Sequence, residues 1–114
     1  MPENAAFRDI AYVRRVVEMR TDPLFRKIPV TVLSLGDIVF VGFGGEPFTH
    51  YATAVREGAK DKTVISVCCA NGFEGYLPTK LAFEQGGYEA TASAFTPNLE
   101  EDCVKAALGI IKTL

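Results

Sequence analysis

A glutamate and a tyrosine, each placed beside glycines, are the residues of this sequence with the most evident chemical potential. Glu46 follows Gly44 and Gly45 at the end of an apolar, strand-like segment, and Tyr76 follows Gly75. In α/β folds, ligand-binding groups commonly lie where a strand passes into a helix through a glycine turn. Glycines also let a loop bring a side chain into a cleft. These positions make Glu46 a candidate ligand-binding residue and Tyr76 a candidate catalytic residue.

Position alone, however, favours structural roles for both residues. A carboxylate in the first turn of a helix stabilises that helix by ~0.5 kcal/mol through the helix dipole. A tyrosine in a loop commonly covers the edge of a core. Both interpretations stay open on the residues alone.

His50, the only histidine, adds a possible metal ligand. It follows Glu46 by four residues, so the two side chains are expected on one side of a helix. A catalytic zinc usually has three protein ligands, and the sequence contains no second histidine. A surface or partly buried imidazole is therefore the favoured interpretation, and a metal site assembled between subunits from His50 and Glu46 is the alternative.

The elements that must position these residues are predicted to be helices that alternate with short strands. Apolar segments rich in β-branched residues, joined by Gly36-Asp37, predict a hairpin. An apolar stripe of Ala6, Ile10, Val13 and Val17 predicts an amphipathic helix. The predicted strands cover residues 29–35, 38–43 and 63–70, and the predicted helices cover 3–20, 47–58, 77–84 and a C-terminal stretch capped by Asn98 that reaches Ile111.

Together these elements predict one α/β domain over residues 1–114, with a short mixed sheet flanked by amphipathic helices. Pro47 is expected in the first turn of its helix. The nearly continuous apolar character of residues 63–70 predicts a strand covered on both faces of the sheet. At 114 residues and 48% hydrophobic, the chain is long enough for one domain with a core.

Charge and hydropathy exclude several classes of partner. Twelve basic and 14 acidic residues give a net charge of -2, which provides no attraction for a phosphate backbone, so we expect no nucleic-acid partner. No stretch approaches the ~20 apolar residues of a transmembrane helix. The N-terminus lacks the basic region and apolar core of a signal peptide. We therefore expect a soluble chain, whose cellular location stays unassigned.

The three cysteines are interpreted as buried thiols. Cys68 and Cys69 are adjacent within an apolar segment, and Cys103 lies in the C-terminal helix. An odd number with this spacing cannot form a disulfide framework. This composition fits a reducing compartment.

Several spaced motifs, taken in order, resemble the C-terminal part of the catalytic domain of neutral/alkaline ceramidases. They are Gly45-Glu46 with Phe48-Thr49 close behind, Asn71 followed five residues later by Tyr76, and Tyr88-Glu89 twelve residues after Tyr76. The resemblance extends from about Val30 to Leu114 and includes a Pro97-led amphipathic helix at the end.

The resemblance implies a site and an activity. In that family, two histidines, a glutamate and a tyrosine bind zinc, and the last two match Glu46 and Tyr76. A second tyrosine, which assists at the substrate carbonyl, matches Tyr88. The implied activity is zinc-dependent hydrolysis of an N-acyl amide such as ceramide, so the implied substrate of the complete protein is an amide lipid.

The chain also departs from the family pattern. The two zinc-binding histidines of the family lie upstream of the matching region, and His50 occupies neither position. We therefore expect this chain, as a C-terminal fragment, to bind no lasting zinc and to be inactive alone. The alternative is a non-catalytic binding or oligomerisation module that keeps the ceramidase-like fold. Such a module would self-associate through the apolar surface left by the missing N-terminal part.

Overall fold

The structure is a computed structural model that describes residues 27–114. The amphipathic helix predicted over residues 3–20 lies outside these described residues. Within them, short strands and helices form a small α/β domain, as the sequence predicts.

The larger sheet has three strands and mixed directions. Strand β1 (Val30–Leu35) pairs antiparallel with β2 (Ile38–Phe43), and β4 (Thr63–Val67) pairs parallel with the other edge of β2. The turn between β1 and β2 contains Gly36 at φ +60°, in the left-handed region that glycine adopts most readily. The predicted hairpin at Gly36-Asp37 is therefore confirmed.

A second, two-stranded sheet joins segments that are distant in sequence. Strand β3 (Glu46–Pro47) pairs parallel with β5 (Tyr76–Leu77), with Glu46 opposite Tyr76. The N–H of Glu46 donates to the carbonyl of Gly75 at 2.8 Å, and the N–H of Phe48 donates to the carbonyl of Leu77 at 3.1 Å.

This pairing corrects two expectations. Pro47 does not begin a helix, because the chain stays extended through Phe48 to pair with β5, and helix α1 (Thr49–Gly58) begins after it. Tyr76 lies in β5 instead of in a loop, for the same reason. The helix predicted from Leu77 consequently begins only at Lys80, where the Thr79 hydroxyl accepts a hydrogen bond from the N–H of Ala82.

Three further helices follow within residues 59–114. They are α2 (Lys80–Gln85), α3 (Tyr88–Ala92) and α4 (Leu99–Ile111). Asn98 precedes α4, but its side chain makes no capping hydrogen bond, contrary to expectation. Three acidic residues do occupy the first turn of α4, where the helix dipole favours them.

The core lies between the larger sheet and helices α1 and α4. Val39, Val41 and Phe43 alternate along β2 and point to one face, where they are buried against these helices. Tyr51 of α1 packs its ring edge-to-face on Phe43 at 5.7 Å and donates its hydroxyl to the carbonyl of Pro78 at 2.8 Å. The core thereby also anchors the segment that joins β5 to α2.

The opposite face of the same sheet is apolar and accessible. The register places on it Leu33 and Leu35 of β1, which are 63% and 70% exposed. Across β2, Ile65 and Val67 of β4 lie on the same face and are also exposed. We call this surface the open face; its further members are Thr31, Ile38 and Phe40. The prediction that residues 63–70 form a strand covered on both faces is wrong for the described structure, because α1 and α4 both pack on the other side.

One cysteine lies in the core and the other two are exposed. Cys103 is buried in α4, and burial, followed by the charge of Asp102, raises the pKa of its thiol to about 11. Cys68 and Cys69 are exposed, contrary to the expectation of three buried thiols, because β4 ends at Val67 and the chain turns there. Among residues 27–114, no helix is long and apolar enough to cross a membrane.

Candidate active site

Glu46 and Tyr76 lie side by side because β3 and β5 pair in register. Gly45 makes this close approach possible. A Cβ atom on residue 45 would lie 2.7 Å from the carbonyl oxygen of Gly75 and 3.0 Å from the side chain of Leu77. The glycine before the glutamate therefore lets the two short strands meet.

Tyr88 reaches the same place from helix α3. Gly86 and Gly87, with φ of +78° and +120°, separate α2 from α3 and redirect the chain. Tyr88 is the first residue of α3, and its ring meets that of Tyr76 edge-to-face, with centroids 5.8 Å apart and an interplanar angle of 73°. The two tyrosines thus form one aromatic pair.

These three residues line a single cavity of about 290 Å³, which we call the site cavity. Glu46 and Tyr76 are half-buried, and Tyr88 is 55% exposed. Phe73, which is 68% exposed, and Ala92 supply apolar wall. The structure therefore brings together the three residues that the family resemblance implies, in a cavity with polar and apolar sides.

The environment of Tyr76 keeps its hydroxyl protonated. Removal from water raises the pKa of Tyr76, and the charge of Glu46, followed by Tyr88 and Glu89, raises it further. Negative charge close to a phenol disfavours the phenolate. A cation in the site cavity would act in the opposite direction and favour loss of the proton.

The charge of Glu46 also acts on Cys69. Removal from water raises the pKa of its thiol, as do the neighbouring Cys68 and the charge of Glu46. Since the thiolate is the reactive form of cysteine, these surroundings do not activate Cys69 as a nucleophile.

The donors of the site cavity fit part of a zinc site. Zinc accepts a carboxylate oxygen, and a phenol oxygen becomes a good ligand once it loses its proton. Over residues 27–114, no group of three or more histidine, cysteine, aspartate or glutamate side chains is close enough to hold a metal ion. Glu46 and Tyr76 therefore fit two positions of a ligand set that this part of the chain does not complete.

His50 lies apart from Glu46. Its Nδ1 is 2.5 Å from a carboxylate oxygen of Glu100 on α4, and the second oxygen of Glu100 accepts the N–H of Lys80 at 2.8 Å. The expectation that Glu46 and His50 share one helix face is wrong, because Glu46 belongs to β3 and the helix begins at Thr49. His50 instead ties α1 to α4.

Ser93 is a residue of this region that the sequence did not reveal. Its buried hydroxyl donates to the carbonyl of Tyr76 at 3.0 Å and accepts the N–H of Phe95 at 3.3 Å. A serine between two alanines near a short helix carries no motif, so no signal in the sequence marked it.

Comparison with known proteins identifies the fold. No model of a known protein family and no curated protein matches this chain. A solved structure described as "Ceramidase complexed with C2" is similar, with a TM-score of 0.64 and 16% sequence identity over 75% of this chain. The match spans only 15% of the length of that ceramidase chain. At this identity the similarity shows a ceramidase-like fold.

Proposed function

We propose that this chain is part of a zinc-dependent amidohydrolase that resembles neutral/alkaline ceramidases and hydrolyses an N-acyl amide such as ceramide. The observation that carries the proposal is the convergence of Glu46, Tyr76 and Tyr88 on one cavity within a ceramidase-like fold. Each residue matches a functional position of the family in order and spacing. Helix-dipole stabilisation, the structural alternative for Glu46, loses its basis because the residue lies in β3.

Glu46 and Tyr76 are the residues of this chain that would hold the metal. Both are half-buried and adjacent across the β3–β5 pair, so their oxygens can approach one ion. Zinc, when bound, polarises a carbonyl and lowers the pKa of a bound water. The raised pKa of Tyr76 means that metal binding must displace a proton from this residue.

Tyr88 would act at the substrate carbonyl. Its ring is more exposed than that of Tyr76 and lines the same cavity, so its hydroxyl can meet a substrate that enters from solvent. A donor held at the position where an oxyanion develops stabilises the transition state. Phe73 and Ala92 provide apolar contacts suited to an acyl chain.

The two histidine ligands of the family must come from outside this chain. A catalytic zinc site needs at least one more protein ligand than Glu46 and Tyr76, and the only histidine of the sequence pairs with Glu100. The similar ceramidase is several times longer than this chain, so a parent protein of that kind has room for the two family histidines. We expect the isolated chain to bind zinc weakly and to cleave no amide.

The test compares the complete parent protein with its Glu46→Ala variant for zinc content and for hydrolysis of an N-acyl sphingoid base. We expect both zinc content and turnover to fall. Glu57→Gln is the matched control, since Glu57 is an exposed acid at the far end of α1 and should change neither. Full zinc content and full turnover in Glu46→Ala would show that the assignment is wrong.

The open face supports a second candidate, a module that binds a second copy of itself. Apolar side chains such as Leu33 and Leu35 are unusually exposed for a strand surface, and a contiguous apolar patch commonly marks an interface. Light scattering of the purified chain should then show a dimer that Leu33→Lys dissociates. Leu81→Lys, at an equally exposed position on α2, is the control. A wild-type monomer at micromolar concentration would remove this candidate.

A further inference from the structure

Ser93 is the buried polar residue of the domain, at 7% exposure, within the part of the chain that the structure describes. Its hydroxyl makes two hydrogen bonds, as donor to the Tyr76 carbonyl and as acceptor from the Phe95 N–H. A serine hydroxyl has one donor hydrogen, and here that hydrogen is committed to Tyr76. A buried hydroxyl with this arrangement fixes the position of the group that it contacts.

The Tyr76 carbonyl needs such a partner because the strand pairing leaves it unused. The N–H groups of Glu46 in β3 and of Phe48 just after it donate to the carbonyls of Gly75 and Leu77, which point to one side of β5. Successive carbonyls of a strand point to opposite sides, so the Tyr76 carbonyl points away from β3. A buried carbonyl without a partner is costly, and Ser93 supplies the partner.

Ser93 is also linked to the second tyrosine through the backbone of helix α3. It immediately follows helix α3, a five-residue helix whose first residue is Tyr88. Little more than one helical turn therefore separates the hydroxyl of Ser93 from the backbone of Tyr88. Through this short helix, a bond to the Tyr76 carbonyl sets the distance between the elements that carry the two rings.

We propose that Ser93 is a positioning residue, whose hydrogen bond to the Tyr76 carbonyl docks α3 on β5 and holds the rings of Tyr76 and Tyr88 in their edge-to-face contact. Its importance for activity rests on the proposed function of these tyrosines. The contact itself lies within this chain and can be measured without activity.

The experiment is solution NMR of the full 114-residue chain with labelled tyrosine rings, comparing the wild type with Ser93→Ala and Ser93→Thr. In Ser93→Ala we expect loss of the ring-to-ring NOE between Tyr76 and Tyr88. Ser93→Thr keeps a hydroxyl and should retain this NOE. The matched control is Ser34→Ala, which removes a hydroxyl-to-carbonyl hydrogen bond at the distant β1–β2 turn and should leave the NOE unchanged.

A folded Ser93→Ala protein with an unchanged NOE between the rings of Tyr76 and Tyr88 overturns the proposal. If Ser93→Ala does not fold, Ser93→Cys decides, since it nearly preserves volume and weakens the donor: loss of the NOE supports the proposal and retention overturns it. These readouts need no metal. Failure of the Glu46 zinc experiment would therefore leave the role of Ser93 intact, and an unchanged NOE would leave the zinc proposal intact.

Discussion

Replacing Gly45 by alanine tests how closely β3 and β5 must approach to bring Glu46 beside Tyr76. The added Cβ would stand 2.7 Å from the Gly75 carbonyl oxygen, and its next neighbours would be the Cγ and Cδ2 atoms of Leu77 at 3.0 Å. Neither neighbour can yield easily. The oxygen belongs to the backbone and accepts the Glu46 N–H, and Leu77 is fully buried. To reach an ordinary contact of about 3.5 Å, the strands must separate by about 0.8 Å.

The expected cost of Gly45→Ala follows from this displacement. Overpacking of a tight site typically costs about 1–3 kcal/mol in the free energy of unfolding. The stretched hydrogen bond between Glu46 and Gly75 adds up to about 1 kcal/mol. Alanine recovers about 0.4–1 kcal/mol by restricting the unfolded chain, so the net effect stays destabilising. For a domain of this size, each kcal/mol lowers the Tm by about 4–8 °C.

The assay is thermal and urea denaturation, with Gly109→Ala as the matched control. A Cβ on Gly109 would meet no atom within 4 Å, and the residue lies inside α4. Alanine is the better helix former there by about 0.8–1 kcal/mol, so the control should be stabilised. A Gly45→Ala protein as stable as the wild type, with the Glu46 amide still protected from hydrogen exchange, would refute the packing of β3 on β5.

Three further outcomes follow from the environments of single side chains. Glu46→Gln should lower the pKa of Tyr76 in an NMR titration, because it removes a negative charge that raises this pKa; an unchanged value would mean that the two groups are not adjacent. Tyr51→Phe should cost about 1–2 kcal/mol in urea denaturation, since the Pro78 carbonyl loses its buried donor, and a neutral result would argue against that hydrogen bond. Burial raises the pKa of Cys103 from 9.0 to about 11, so the thiol ionises more readily in the unfolded chain than in the fold. Its contribution to the free energy of unfolding should be fully present below pH 9 and be lost as the pH rises to about 11. Cys103→Ala should flatten that part of the pH profile, and an equally steep profile would contradict the burial of the thiol.

The elements that could be predicted from the sequence are those specified locally. The glycine turn at Gly36 and the helical apolar spacing of α4 each fix one element within a few residues. Strands of two residues have no periodicity, so the sequence does not predict the pairing of β3 with β5. For this reason the sequence predicts a helix at Pro47 and a loop at Tyr76, and both predictions are wrong.

Features that depend on contacts between distant segments cannot be predicted from the local sequence. Whether Ile65 is covered depends on what packs against β4, and an apolar strand looks the same in either case. The role of Ser93 depends on a carbonyl seventeen residues away. The three candidate site residues were identified through their joint spacing and the family resemblance, since each alone has an ordinary structural explanation.

The central claim is that Glu46 and Tyr76 are two ligands of one zinc ion in the complete protein. Anomalous diffraction at the zinc edge, from crystals of the complete protein, tests it most directly. We expect one anomalous peak in the site cavity, about 2.0–2.2 Å from both a Glu46 carboxylate oxygen and the Tyr76 phenol oxygen. A fully occupied zinc bound elsewhere, with Glu46 and Tyr76 both outside its coordination sphere, would contradict the claim.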